Sequence, residues 1–393
     1  MKRKLALILL AVLLIFSMTA CGSDSEKSQE TQNVEKETVE ESDNTEESES
    51  SEITITDMMD REVTIKKPIE RVVLNQWDAA EFCMSVVGED FVDMIKGVGI
   101  TKGSENYQKV IGEKYPQLKD LPSVGGGKGR DYDVEKIISL EPDVFIINSS
   151  GSFSEGALDT AEKLDEAGIP TLFLTMSENP FSSPQEATLL IGDIFEREER
   201  AQEISEFLDE QFKVINSKNL AEKTDKPTFY QEKGSGTKDE YDVTSISDGW
   251  ADLIEYAGGK NIAIGYVGES GKIDPEYLIT TNPDYIFVTG SLGHYDSKEI
   301  QEIIDSSVGE YIQRTGWDKL KAVKNNDVYL FSHSHSRNQF AFYPALKIAK
   351  IFYPEEFKEI NPDEKLKEFF DHFMLTDYED GFWFYQLGDK LDG

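Results

Sequence analysis

The chain has 393 residues, a formal charge of −36, 38% hydrophobic residues and two cysteines. So acidic a chain is repelled by nucleic acid and by anionic lipid, which excludes both as charge-driven partners. Two cysteines exclude a disulfide framework, and the length is enough for two domains.

Lys2, Arg3 and Lys4 precede an apolar run from Leu5 to Phe16, which is short for a membrane-spanning helix. Ser17-Met18-Thr19-Ala20-Cys21 follows. This order of basic, apolar and small residues reads as an export signal over residues 1–20. The small residues before Cys21 resemble a bacterial lipobox, with Met18 where leucine is usual. Cys21 is therefore expected to carry lipid and anchor the chain to the membrane. Residues 21–52 hold twelve acids and two lysines with almost no apolar side chains. Such a stretch cannot bury enough surface to offset its ordering entropy and is expected to be a disordered tether.

Alternation in Ile53-Thr54-Ile55 and Val63-Thr64-Ile65 predicts an opening hairpin. A buried strand is expected at Arg71–Asn75, then a helix from Asp78 to Val87 closed by Gly88. Cys83, within that helix, is expected to be a small core residue. A helix at 134–140, a strand at 144–147, a helix at 155–167 stopped by Gly168 and a strand at 171–174 follow. Helices alternating with short apolar strands indicate parallel α/β layers. From Pro184 to Asn219 the apolar residues recur at helical spacing, and one helix of thirty-odd residues is expected. Beyond it come a strand at 228–230, a helix at 250–256 and Gly258-Gly259 as a stop. The aromatic tail Phe382–Tyr385 is expected to pack back on the second half.

Asp133-Val-Glu135-Lys-Ile-Ile-Ser-Leu-Glu-Pro142-Asp143 echoes Asp274-Pro-Glu276-Tyr-Leu-Ile-Thr-Thr-Asn-Pro283-Asp284. Each copy sets a glutamate in a first helical turn, seven residues before a Pro-Asp pair and a buried strand. One copy precedes the long helical stretch and one follows it. The expected fold is therefore α/β: two Rossmann-like lobes, 53–182 and 226–393, joined by one long rigid helix over 183–219.

With these elements in place, the body resembles the class III substrate-binding proteins of ABC importers, which carry ferric siderophores, haem or cobalamin. The resemblance rests on Ile53 to Val73, which follows the family's opening "ITDxxGREV…P…RVV" pattern. It rests also on Leu121-Pro122-Ser123-Val124-Gly125, on Gly258-Gly259-Lys260-Asn261-Ile262-Ala263, and on the Glu135 and Glu276 units. The resemblance implies that Glu135 and Glu276 dock into arginine-lined pockets of the permease, which works with an ATPase. It implies a small-molecule metal chelate held in a ligand cleft between the lobes, with no built-in cofactor; candidate arginine and lysine contacts in an otherwise acidic chain favour a ferric siderophore type. A monomer is expected.

Ligand contacts in such a fold come from loops facing the cleft. The candidates are Trp77 after the first strand, Lys128 and Arg130 in a glycine-rich loop, and His333, His335 and Arg337 after a late strand. On an extended backbone the last three share one side. Tyr241 and Trp250 are read either as aromatic surface for a chelate or corrin, or as core packing. Cobalamin, other corrinoids and haem remain alternatives, as does direct zinc or manganese binding, for which four histidines are a thin supply. His-Glu-x-x-His, Gly-x-Ser-x-Gly and Cys-x-x-Cys are absent, so no catalytic residues are assigned. An exported enzyme or a sensory module is the reading from a different class.

Overall fold

The computed structural model describes residues 51–100, 105–126, 132–148, 155–176, 179–234, 237–239, 241, 243–244, 249–268, 270–290, 292–294 and 297–391. The opening hairpin forms as its alternation requires. β1 (Ser51–Thr56) pairs antiparallel with β2 (Glu62–Lys67), with Ile53 opposite Ile65 and Ile55 opposite Val63. The Asp57 carboxylate accepts the Met59 and Arg61 backbone N–H groups and pairs with the Arg61 guanidinium. That guanidinium lies 4.3 Å from the Phe173 ring centre, tying the hairpin to the first lobe.

The first lobe is a parallel sheet of order β4–β3–β5–β6. Its strands are β3 (Val72–Leu74), β4 (Ile95–Val98), β5 (Val144–Asn148) and β6 (Thr171–Leu174). All but one of their residues are buried, as near-continuous apolar runs covered on both faces must be. The helices are α1 (Trp77–Val87), α2 (Asp90–Met94), α3 (Glu105–Lys114), α4 (Val134–Ser139) and α5 (Glu155–Glu166). Gly88 and Gly168, at φ 86° and 77°, end α1 and α5 in the left-handed conformation that favours glycine. Cys83 is buried, and burial pushes its thiol pKa up.

The stretch expected to be one helix is two: α6 (Ser183–Phe195) and α7 (Glu198–Asn216). Glu196 takes the left-handed conformation at φ 57°, and the next residue, Arg197, donates its N–H back to the Gly192 carbonyl at 2.8 Å. The chain then doubles back, and Gly192 lets α6 lie directly on Ala201 of α7. α7, the long helix at 19 residues, packs on both α1 and the second lobe's α12 (Phe342–Phe352).

The second lobe centres on parallel strands β7 (Thr228–Lys233), β11 (Tyr285–Gly290) and β13 (Val328–Ser332). Short strands β8 (Val243–Thr244), β9 (Lys260–Asn261) and β10 (Ser270–Gly271) extend the sheet beyond β7. The helices are α8 (Trp250–Tyr256), α9 (Pro275–Thr281), α10 (Ser297–Ile304) and α11 (Lys321–Lys324), then α12 and α13 (Pro362–Phe373). The aromatic tail does pack back. β12 (Gly293–His294) pairs with β14 (Gly381–Phe382), and β15 (Phe384–Gln386) joins the sheet antiparallel to β13.

The sequence echo is a structural repeat. Asp133 caps α4 by accepting the Lys136 N–H, and Asp274 caps α9 by accepting those of Glu276 and Tyr277. Glu141 and Asn282, each just before the proline, are both left-handed, at φ 48° and 47°. Asp143 then accepts the Glu70 and Arg71 N–H groups, and Asp284 accepts the Thr228 N–H and hydroxyl. In each lobe the aspartate fixes the start of the neighbouring parallel strand.

Candidate ligand cleft

Ligands of parallel α/β sheets sit beyond the carboxyl ends of the strands. At those ends in the first lobe, Asn75 and Asn148 interlock. The Asn75 amide donates to the Asn148 carbonyl at 2.9 Å and its Oδ1 accepts the Asn148 N–H at 3.0 Å. The Asn148 side-chain amide is itself buried, and neither of its polar atoms has a hydrogen-bond partner. Trp77 Nε1, at the start of α1, is likewise buried without an acceptor.

In the second lobe β13 ends at Ser332, and His333–Arg337 forms a 3₁₀ turn rather than extended chain. With three residues per turn, alternate residues no longer share a side, so the expected wall of His333, His335 and Arg337 does not form. His335 turns into the core against Phe340 and Tyr343, with its ring stacked on Trp383 at 5.9 Å. His333 stays at the strand ends, its Nδ1 3.3 Å from Thr289 Oγ1 of β11. Burial, then the charges of Arg337 and Lys233, pushes the His333 pKa down to about 3. Its imidazole is therefore uncharged at neutral pH. Arg337 reaches across to the first lobe, with Nη2 3.3 Å from Asp78 Oδ2. Arg337 Nε and Asp78 Oδ2 are buried atoms without hydrogen-bond partners.

One turn beyond Asp78 on α1 stands Glu81, whose carboxyl pKa is pushed up to about 8, first by burial and then by the Asp78 charge. The Tyr107 ring meets Trp77 edge-on at 5.4 Å. The sequence reading did not single out Asp78, Glu81, Asn148 or Lys233. A usable signal existed: Asp78 and Glu81 are three apart at the start of a helix that follows a strand end, so they share one face.

Three aromatic candidates are buried. Trp77 is buried in the main core. Trp250 is fully buried against Phe331, and its Nε1 donates to the His333 carbonyl at 3.0 Å, so it holds the cleft turn from behind. Tyr241 is buried beside Trp317. Its ring covers the Arg314 guanidinium at 4.2 Å, which is bound bidentately to buried Glu232 with both distances 3.0 Å. Lys128, Arg130 and Cys21 lie outside the described residues. Glu135 and Glu276 are exposed in the first turns of α4 and α9.

Two α/β lobes, a long intervening helix and polar groups gathered at the strand ends define an extracytoplasmic solute-binding protein. The chain belongs to the periplasmic binding protein family, whose description, "Periplasmic binding protein", matches residues 86–333, and its fold is of the TroA-like, class III type. It is the solute-binding component of an ABC importer, with a small ligand and a membrane permease as partners, and is not an enzyme. Among solved structures it is similar to the TroA-like periplasmic binding protein FepB from Veillonella parvula. That likeness has 31% identity and a TM-score of 0.72, covering 86% of this chain and 100% of that one. The molybdate-binding protein MolA of Haemophilus influenzae is 21% identical over 355 residues, 83% of this chain and 92% of MolA. The high-affinity heme uptake system protein IsdE of Staphylococcus aureus (strain MRSA252) is 25% identical over 227 residues, 58% of this chain and 70% of IsdE.

Proposed function

We propose that this protein captures an anionic metal chelate, of the ferric siderophore type, between its lobes and hands it to the permease through Glu135 and Glu276. The Arg337–Asp78 contact across the cleft carries this reading. A guanidinium offers two or more donors to a carboxylate or catecholate, and here its only ionic partner among the described residues is a single Asp78 oxygen at 3.3 Å. An incoming anion can replace that oxygen and also satisfy the bare Arg337 Nε. The surrounding charges agree. Arg337 and Lys233 are cationic, His333 is uncharged, and Glu81 holds its proton near neutral pH, leaving Asp78 as the lone anion of this group. The proteins it resembles are named for molybdate and for haem, so anionic metal species occur among its relatives.

Haem is the second reading, and the uncharged His333 imidazole favours it, because a neutral imidazole is an axial iron ligand. Titration of the body from residue 51, followed by tryptophan fluorescence, separates the two. The panel is ferric catecholate and carboxylate siderophores, haem, cobalamin, and zinc and manganese ions. One ferric chelate should bind saturably, and Arg337→Ala should weaken it about 10- to 100-fold, as loss of a charge-assisted hydrogen bond does. Haem binding lost in His333→Ala but kept in Arg337→Ala would replace the siderophore reading, and binding of bare metal ions alone would sink both.

Cys21 is proposed to carry the lipid anchor, with residues 22–50 as its tether; Ser51 and Glu52, expected in that tether, are instead the first residues of β1, paired with Lys67 and Lys66. Cys21→Ala should move the protein from the membrane fraction to the soluble one, and continued membrane retention would contradict the anchor.

A further inference from the structure

Five large apolar side chains stand out as exposed among the described residues: Ile138, Leu158, Leu189, Ile264 and Tyr266. A single exposed apolar residue needs no explanation, but a cluster beside a charged landmark does. Four of these five lie on the helices that carry the two echoed glutamates or on elements packed against those helices. Ile138 is three residues from Glu135 on α4, so both point out from one helix face. Leu158 lies on α5, which packs on α4. Ile264 and Tyr266 sit in the turn beside α9, where the Tyr266 ring stacks on Tyr277 at 3.9 Å and 18°. Tyr277 is the next residue after Glu276.

The second-lobe patch is ordered. Tyr266 and Val267 N–H groups both donate to the Ala263 carbonyl, at 3.0 and 3.1 Å. The Tyr277 hydroxyl donates to the Ile262 carbonyl at 2.8 Å, locking α9 to the turn. The left-handed Gly265, at φ 79° with no neighbour near its missing Cβ, sets the turn that carries Ile264 and Tyr266 outward. A fold that holds an isoleucine and a tyrosine 47% and 43% exposed on a fixed turn is presenting them.

We propose that the surface facing the importer's permease is a pair of composite patches, Glu135 with Ile138 and Leu158 on one lobe, and Glu276 with Ile264, Tyr266 and Tyr277 on the other. The inference rests on the docking reading of the two glutamates and adds a contact of different chemistry. In each patch the glutamate fixes register and the apolar rim excludes water around it, which raises the worth of the ionic contact. The chemistry specifies the occupant. Exposed acids at Asp133 and Glu135, and again at Asp274 and Glu276, call for cationic side chains opposite. An arginine suits the second patch best, because its flat guanidinium can meet the Glu276 carboxylate and lie on the tyrosine pair. What is new is the flank: each arginine that the resemblance implies is expected to be bordered on the permease by apolar residues.

The test uses the full chain in the cells that make it. The photo-crosslinking residue p-benzoylphenylalanine replaces Tyr266, Ile138 or, as a control, Leu189 of α6, and adducts are identified by mass spectrometry. Positions 266 and 138 should both join the same multi-span permease, and position 189 should not. With the probe at 138, the pair Ile264→Ser and Tyr266→Ser should cut the adduct about tenfold, the equivalent of roughly 1.4 kcal/mol. If the 138 adduct persists in that pair but falls in Glu135→Gln with Glu276→Gln, the apolar rim is overturned and the glutamate contacts stand. If neither pair changes it, both readings fail. A chain-to-chain adduct at 266, or no adduct at either site, also overturns the proposal.

Discussion

Glu81 and Asp78 sit one helical turn apart in a buried corner of the cleft, and that spacing decides the charge an entering ligand meets. Burial and the neighbouring Asp78 raise the Glu81 pKa to about 8. A folded-state value above the unfolded one means the folded protein holds the proton that the unfolded chain gives up. Stability from this group is therefore fully present below about pH 4.5 and is lost as pH rises toward 8. Glu81→Gln keeps the protonated shape without the titration. Its melting temperature should match wild type near pH 5 and exceed it by a few degrees at pH 9; a gap that stays flat across this range would mean Glu81 ionises as an ordinary surface acid. Among the described residues Asp78, Arg337 and Lys233 are the other charges of this cleft group, with Tyr107 against Trp77, and none of them is altered by the substitution. On the proposed reading of the ligand as an anionic chelate, a protonated Glu81 spares it a second repulsive carboxylate.

The repeated helix–turn–strand units were legible in the sequence because their signals are local. Asp133 and Asp274 cap helices, Pro142 and Pro283 end them, and apolar runs mark the strands. What was not legible depends on contacts distant in sequence. His-Ser-His-Ser-Arg contains no glycine or proline to announce a turn, and His335 is drawn inward by Trp383, 48 positions away. The break between α6 and α7 was hidden for a related reason, since a left-handed glutamate makes it where glycine would have signalled it. Gly192, inside the stretch expected to be one helix, is the contact that lets the two helices pack closely. A Cβ placed there would lie 2.4 Å from that of Ala201. Gly192→Ala should therefore push α7 off α6 and cost about 1–3 kcal/mol despite alanine's better helix propensity. Thermal melting checks this, and an unchanged or raised transition would show that the hairpin has slack at this crossing.

Across the whole folded body, the lobes are not two beads on a rod. One apolar cluster takes in Val72, Leu74 and Trp77 of the first lobe, Leu208 and Phe212 of α7, and Phe229, Phe287 and Leu346 of the second. Buried polar contacts cross the same junction. The Ser85 hydroxyl donates to Gln339 at 2.7 Å, and the Gln339 amide donates on to Thr188 at 3.0 Å. Arg200 of α7 donates to the Ser85 carbonyl at 2.7 Å and to that of Phe373 at 3.0 Å, binding α1 to the end of α13. Separating the lobes would expose this shared apolar surface and strand these polar groups, at a cost far above that of breaking the single Asp78–Arg337 contact on the cleft side. The body from residue 51 should therefore unfold in one cooperative step, with calorimetric and van't Hoff enthalpies equal. Two resolved transitions would mean that the lobes fold separately and that the junction is a hinge. The same stiffness bears on transport. If the lobes cannot swing freely, liganded and empty forms present Glu135 and Glu276 at nearly the same separation. On the proposed docking and ligand contacts, the permease must then tell them apart by what fills the cleft, beginning with whether Arg337 is held by Asp78 or by the ligand.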